Sequence, residues 1–224
     1  MSKSIGSVGY LTFVKHAEKV VKNICVDRPE IFKGIYHKDG KVYVTDTYRV
    51  YIAKSVYNAK EGSTTCITTG KELEGNYPNV EAVIPGTGSE IVSFMIPVGY
   101  ALDSLKAMQQ IGTIPTAPGE SKTKKAKVLF NLDFSGNVVK ISTLTKYVNS
   151  AYEVTTANTL QQDLRVTVNA NYMIQALDMF KDFLSSVKGN PVEVEVRIYG
   201  KNAAVVVDYE NILTAVIMPT RLHD

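Results

Sequence analysis

The sequence alternates helix patterns with runs of short β patterns, and this alternation limits the fold more than any other feature does. Apolar residues recur at three- and four-residue spacing over residues 10–25, 98–111 and 171–187, which is the spacing of one buried helix face. Each of these segments is followed by short β runs that are separated by turn residues. Helices that each precede several strands predict an α+β protein.

The first helix, predicted over residues 10–25, has an apolar face and a basic face. Thr12 is expected to cap its N-terminus. At about 100° per residue, Lys15, Lys19 and Lys22 fall within a narrow arc opposite the apolar residues. Two interpretations of this arc are open: a solvated lysine stripe, or a surface that meets phosphate groups.

Turn residues divide the strand patterns. Asp39-Gly40 predicts a hairpin turn between two β runs. Farther along the chain, four successive strands are expected over 128–134, 138–144, 151–156 and 164–169, with Ser135-Gly136-Asn137 as a turn. A last strand should end at Pro219, which has no N–H to donate to a sheet. Leu222 beyond it is either frayed or docked.

A length of 224 residues allows one large or two medium domains. Prolines and glycine make residues 113–127 the strongest linker, which divides the chain into domains at 1–112 and 128–224. The linker carries a basic run that is either a solvated loop or a contact for phosphates. Its lysines are Lys122, Lys124, Lys125 and Lys127.

Composition excludes several classes of protein. Cys25 and Cys66 lie far apart without metal-ligand spacing, and the three histidines show no metal or nucleophile pattern. Asp46 beside Arg49 is better explained as a structural carboxylate than as a catalytic acid. We therefore expect no enzyme activity and no cofactor. No signal peptide or membrane span is visible, and a cytoplasmic protein with no membrane contact is expected. The net charge of +3 permits contact with an acidic polymer.

Four segments resemble, in order, the bacterial β sliding clamp, the β subunit of DNA polymerase III. Residues 44–50, Val-Thr-Asp-Thr-Tyr-Arg-Val, are similar to Ala-Thr-Asp-Gly-His-Arg-Leu of the clamp's middle domain. Residues 73–85 resemble the Phe/Tyr-Pro-Asp-Tyr crossing to its last domain. Asn169-Ala-Asn-Tyr172 is similar to its Phe-Asn-x-x-Tyr, and residues 218–222 to its Met-Pro-Met-Arg-Leu ending.

The resemblance implies a DNA-clamp fold, with antiparallel sheets outside and helices lining one face. It implies a processivity factor that encircles duplex DNA without reading its sequence and tethers a DNA polymerase and other clamp-binding proteins. A clamp loader would be a further partner. The first clamp domain has no counterpart here and the middle domain is shortened, as in a phage or prophage homologue. We therefore expect a homo-oligomeric ring of more than two copies.

The resemblance also implies two surfaces. DNA would meet the lysines of the first helix and of the linker. Partner peptides would bind a pocket in which Thr47 replaces the family's Gly and Thr220 its second Met. The alternative is a clamp-derived adaptor or competitor that binds replication proteins without a ring, which the nearly neutral second and third helices favour. The pocket residues are Thr45, Thr47, Tyr48, Arg49, Val50, Pro78, Val83, Asn169, Tyr172, Met218, Pro219, Arg221 and Leu222.

Overall fold

The computed structural model describes residues 7–22, 24, 27–54, 60–86, 88–113, 128–144, 149–185 and 192–221. Within them the chain forms three α-helices: α1 (Ser7–Val21), α2 (Val98–Gly112) and α3 (Ala170–Leu184). The strands are β1 (Gly34–Lys38), β2 (Lys41–Thr45), β3 (Arg49–Lys54), β4 (Thr64–Cys66), β5 (Glu72–Leu73), β6 (Val92–Pro97), β7 (Leu129–Leu144), β8 (Asn149–Asn169), β9 (Glu193–Ile198), β10 (Val205–Tyr209) and β11 (Leu213–Ile217). Single 3-10 turns occupy Glu30–Lys33 and Val80–Val83.

Nine of these strands form one antiparallel sheet in the order β5-β4-β1-β2-β3-β11-β10-β9-β6. At its centre β3 pairs with β11, with Val50 opposite Val216. This pairing joins strands from both predicted domains, 1–112 and 128–224, in one sheet, and the division itself stays a prediction. The long strands β7 and β8 form a separate two-stranded sheet. The predicted α+β class is confirmed.

The helices cover one face of the sheets. Phe13, Ala17 and Val20 of α1 are buried in the main core, as the helical spacing predicts. Helix α3 packs against both α1 and α2, so it is the middle helix of the layer. A smaller apolar cluster lies on the opposite face of the central strands, where the segment around Val80 covers Val50 and Val216.

The β1–β2 hairpin turns where it is predicted to. Asp39 and Gly40 have φ angles of 50° and 66°, which are the positive values that a two-residue type I′ turn requires. Aspartate and glycine tolerate this conformation at low cost. The turn sets the register of the pair, with Lys38 opposite Lys41.

Two parts of the predicted secondary structure are wrong. Helix α1 covers Ser7–Val21 and not 10–25, so Thr12 lies inside the helix and is not its N-cap; Tyr10 packs against the core and favours the additional turn. The four strands predicted over 128–169 are two long ones. Gly136, at φ 58°, lies in an irregularity of the β7–β8 pairing. A bulge of this kind bends a strand without reversing it.

Candidate functional site

The turn between β2 and β3 is held by its own side chains. The Thr45 hydroxyl donates to the carbonyl of Arg49 at 2.7 Å and accepts from the backbone N–H of Thr47 at 3.0 Å. One carboxylate oxygen of Asp46 accepts from the backbone N–H groups of Tyr48 and Arg49, each at 3.0 Å. In a helix or a sheet, backbone carbonyl groups would accept from these backbone N–H groups. In this chain reversal the side chains of Thr45 and Asp46 accept from them instead. The turn is therefore a fixed platform for its side chains.

Thr47 has a backbone conformation that suits glycine. Its φ of 75° lies in the left-handed region, where a β-branched residue is an outlier. The similar segment of the clamp family has glycine here. The Thr47 side chain faces solvent, with a long contact of 3.5 Å to Arg28. The turn therefore stores backbone strain at this position.

Arg49 joins this turn to the helix layer. Its side chain is fully buried, and its Nε donates to Asp46 at 3.0 Å. The guanidinium also donates to the side-chain oxygen of Gln175 at 2.6 Å and to the carbonyl of Lys19 at 3.3 Å. The ring of Tyr172 stacks on it, with 4.5 Å from Cζ to the ring centre. A planar cation with several donors can link these groups at once.

Two tyrosines border the turn. Tyr48 is exposed at the tip of the β2–β3 turn, and its ring stacks on Tyr172 with 6.4 Å between centres. Tyr172 lies in the first turn of α3, which begins after Asn169. The Asn169 side chain caps that helix by accepting from the backbone N–H of Asn171 at 3.0 Å. The Asn169–Tyr172 segment and the 44–50 segment therefore meet.

A cavity of about 210 Å³ opens at the β2–β3 turn, and neither Tyr48 nor Tyr172 lines it. Seven of the predicted pocket residues line it: Thr45, Thr47, Arg49, Val50, Pro78, Val83 and Met218. Four other lining residues were not predicted: Phe32, Asn79, Val80 and Val216. Val80 belongs to the segment that resembles the clamp crossing and could have been included. Phe32 comes from a part of the chain without any motif. We call these eleven residues the turn cavity.

The chain after β11 closes the turn cavity on one side. The Met218 N–H donates to the carbonyl of Tyr48 at 2.9 Å, and the Thr220 N–H donates to the carbonyl of Thr167 at 2.7 Å. Between them Pro219 has no N–H and ends the pairing, as predicted. Pro219 is half-buried and Arg221 is exposed. Leu222 lies outside the described residues.

The predicted basic residues of α1 are all in ion pairs. Lys15 contacts Asp182 at 2.8 Å and Lys19 contacts Asp178 at 3.0 Å, both on α3. Lys22 lies 3.9 Å from Glu18 on its own helix. The linker lysines, Lys122, Lys124, Lys125 and Lys127, lie outside the described residues. The DNA-binding role of both sets stays a prediction.

Neither a metal site nor a membrane span is found in the described part of the chain. There, no three His, Cys, Asp or Glu side chains come together as ligands for a metal ion. None of the described helices is long and apolar enough to cross a membrane.

His16 is buried, with its Nε2 3.0 Å from Asp182. Because a carboxylate only accepts, Nε2 carries the proton of the neutral ring.

A layer of helices packed on antiparallel sheets is the fold of the DNA-clamp class of proteins. Solved bacterial β sliding clamps share it. The Bacillus subtilis DNA polymerase sliding clamp matches 96% of this chain with a TM-score of 0.65 and 14% identity. The C. crescentus β sliding clamp matches 99% with a TM-score of 0.69 and 13% identity. The Helicobacter pylori β clamp bound to a DNA ligase peptide matches 97% with a TM-score of 0.65 and 14% identity.

The TM-scores establish a common fold. The chain spans 63% of the B. subtilis clamp, 67% of the C. crescentus clamp and 65% of the H. pylori clamp. No family model and no curated protein sequence matches this chain. The expected clamp fold is confirmed.

Proposed function

We propose that this protein is a non-enzymatic DNA sliding clamp that holds replication proteins through a peptide bound in the turn cavity. The observation that carries the proposal is the meeting of four separate chain segments at one cavity. These are the 3-10 turn that carries Phe32, the β2–β3 turn, the segment from Pro78 to Val83 and the end of β11 with Met218. The H. pylori clamp, which has the same fold, is described with a bound DNA ligase peptide.

The composition of the turn cavity suits an extended peptide with an apolar anchor. Val50, Val83 and Met218 supply apolar walls, and a volume of about 210 Å³ matches one or two side chains. Exposed Tyr48 provides a large flat surface between two residues that line the cavity. Aromatic and apolar anchors in a small pocket supply most of the affinity of such contacts. The partners would be a DNA polymerase and other proteins with clamp-binding motifs.

The DNA part of the proposal concerns the helix layer. Lys15, Lys19 and Lys22 would contact phosphates of duplex DNA without reading its sequence, together with the linker lysines. We propose a ring of more than two copies that a clamp loader places on DNA. We retain the division into domains at 1–112 and 128–224.

The experiment that tests the turn cavity is a calorimetric titration with a clamp-binding peptide that contains Gln and Leu or Phe. The variant is Val83→Asp, because Val83 is 44% exposed and a charge there should not disturb folding. It should lower the affinity at least about tenfold, since an apolar anchor would face a carboxylate. The matched control is Val138→Asp, at a valine of β7 that is 37% exposed and does not line the cavity.

The result for the control decides how the test is interpreted. The Val138→Asp variant should bind the peptide as the unchanged protein does. If the unchanged, folded protein bound no such peptide, the proposal for the turn cavity would be wrong. If both variants lost affinity equally, the peptide would bind elsewhere.

One observation favours the second candidate, an adaptor that binds replication proteins without encircling DNA. The carboxylates of Asp178 and Asp182 neutralise lysines of α1, so the helix layer carries less free positive charge than the lysines alone suggest. Light scattering at micromolar concentration separates the two functions. A ring requires self-association, whereas a monomer that binds the peptide would be an adaptor.

A further inference from the structure

Two carboxylates of α3 each accept hydrogen bonds from two side chains. Asp178 contacts the Nζ of Lys19 at 3.0 Å with one oxygen and the Nζ of Lys106 at 3.1 Å with the other. Asp182 contacts the Nζ of Lys15 at 2.8 Å and the Nε2 of His16 at 3.0 Å. Asp178 therefore bridges α1 and α2, the two neighbours of α3.

The spacing of these residues places them in one row. Lys15 and Lys19 are four residues apart on α1, as Asp178 and Asp182 are on α3, so each pair lies one helical turn apart. The earlier lysine pairs with the later aspartate, which makes the two helices antiparallel. Lys106 extends the row across α3 to α2. Lys15, Lys19 and Lys106 thus form one surface. The periodicity of the sequence predicts only that Lys15 and Lys19 share a face of α1.

The ammonium groups are the outer part of this surface. The Lys15 and Lys106 side chains are 65% and 44% exposed, whereas that of Asp178 is 29% exposed. An anion that approaches from solvent can therefore reach the lysines without first displacing protein.

Both carboxylates are permanently charged near neutral pH. Burial acts to raise the pKa of Asp178, but the hydrogen bonds and charges of Lys19 and Lys106 outweigh it and hold that pKa below its ordinary value. The hydrogen bond from Lys15 does the same for the pKa of Asp182. Two fixed negative charges therefore accompany the lysines.

We infer that Lys106 belongs to the phosphate-binding surface together with Lys15 and Lys19, and that Asp178 and Asp182 compete with DNA phosphates for these three lysines. The inference rests on the proposed contact between the helix layer and duplex DNA. Exposed ion pairs contribute little stability, so phosphates can replace or share the carboxylates at small cost. The two carboxylates keep binding to DNA weak, which suits a protein that must slide.

The test compares variants in their binding to a fluorescent DNA duplex, measured by anisotropy over a series of salt concentrations. Asp178→Asn with Asp182→Asn keeps the size of both side chains and removes both charges. It should bind about tenfold more tightly and with a steeper salt dependence, by roughly 0.9 in log–log slope for each additional phosphate that a lysine neutralises. Lys106→Gln should bind more weakly, with a salt dependence that is shallower by about one phosphate.

The matched control is Glu74→Gln, which removes an exposed negative charge just after the edge strand β5 that makes no ion pair among the described residues. It should change the affinity less than twofold. If the affinity of the double variant rose no more than that of this control, competition by the carboxylates would be wrong, while DNA binding by the unchanged protein would still support the proposed function. If neither the unchanged protein nor the double variant bound the duplex, the inference and the proposed DNA contact would both be wrong.

Folding is checked with the same samples by thermal unfolding and by the peptide titration. If the double variant were unfolded, Asp178→Asn alone would provide the comparison with Glu74→Gln, because it removes the carboxylate that both Lys19 and Lys106 contact.

Discussion

The guanidinium carbon of Arg49 lies 4.5 Å from the centre of the Tyr172 ring, and this contact fixes the β2–β3 turn against the start of α3. Replacing Arg49 with Ala would leave the buried carboxylate of Asp46 without its cation. Breaking a buried ion pair from one side costs about 3–5 kcal/mol. We expect a loss of that size in the free energy of unfolding, measured by urea denaturation.

Arg49→Lys is the control for this prediction. Lysine keeps the charge but not the planar fork that reaches Gln175 and Lys19 together. We expect an intermediate loss of stability. A loss below about 1 kcal/mol for Arg49→Ala would contradict the role of Arg49 as the link between turn and helices.

The stacked tyrosines lead to a prediction about peptide affinity. Tyr48 is exposed, packs on Tyr172 and lies between Thr47 and Arg49, which line the turn cavity. Tyr48→Ala should lower peptide affinity about tenfold, since a rigid aromatic contact is lost, and should leave thermal stability nearly unchanged. Tyr100→Ala removes an exposed tyrosine of α2 that is not at the cavity. Equal losses in the two variants would show that the stacked pair has no special role.

The strain at Thr47 predicts a stabilising substitution. Relief of a positive φ at a residue other than glycine is worth about 1–2 kcal/mol, and the extra freedom of unfolded glycine costs about 0.5–1 kcal/mol. Thr47→Gly should therefore stabilise the protein by about 0.5–1 kcal/mol and raise the Tm by about 2 °C in calorimetry.

The control for Thr47 is Thr68→Gly. Thr68 is exposed in a turn and does not have a positive φ, so glycine should lower the stability there by about 0.5–1 kcal/mol. Destabilisation by both substitutions would show that the conformation of Thr47 is not strained.

Two buried histidines predict how stability depends on pH. Burial lowers the pKa of His16, and the hydrogen bond to Asp182 offsets this only in part; burial also lowers the pKa of His37. The folded protein therefore binds protons less readily than the unfolded chain, whose histidines titrate near about 6.5. Stability is fully present above that value and falls as the pH drops from it toward the lowered pKa values.

Urea denaturation between pH 7.5 and pH 5.5 measures this decline. His16→Gln keeps a donor for Asp182 and does not titrate, so its decline should be shallower, by up to about 1.4 kcal/mol per pH unit. Lys15→Gln, which leaves His16 in place, should decline as the unchanged protein does. A decline in His16→Gln as steep as that of the unchanged protein would rule out His16 as its cause.

Sequence patterns correctly predicted those structural elements that are determined by residues close together in the sequence. The apolar stripe of α3, the Asp39-Gly40 turn and the end of β11 before Pro219 each depend on residues within a few positions of one another. The Ser135-Gly136-Asn137 segment did not become a turn, because a glycine in a left-handed conformation serves a bulge as well as a turn. Only the pairing of β7 with β8 decides between them.

Contacts between distant segments could not be predicted from spacing alone. The periodicity of α1 placed Lys15 and Lys19 on one face, but their partners Asp178 and Asp182 lie on another helix. The resemblance to sliding clamps predicted seven of the eleven residues that line the turn cavity. It missed Phe32, which reaches the cavity because the 3-10 turn before β1 packs near Tyr77.

The position of β11 has a consequence for synthesis of the protein on the ribosome. Strand β3 is completed early, yet its partner β11 is translated roughly 10 to 30 s later at ordinary elongation rates. During that interval β3 presents an open edge with Val50, Tyr51 and Ile52, which is the kind of edge that pairs with other chains. The yield of soluble protein should therefore depend on how long nascent chains wait for β11, and slower elongation should lower it even when the finished fold is stable.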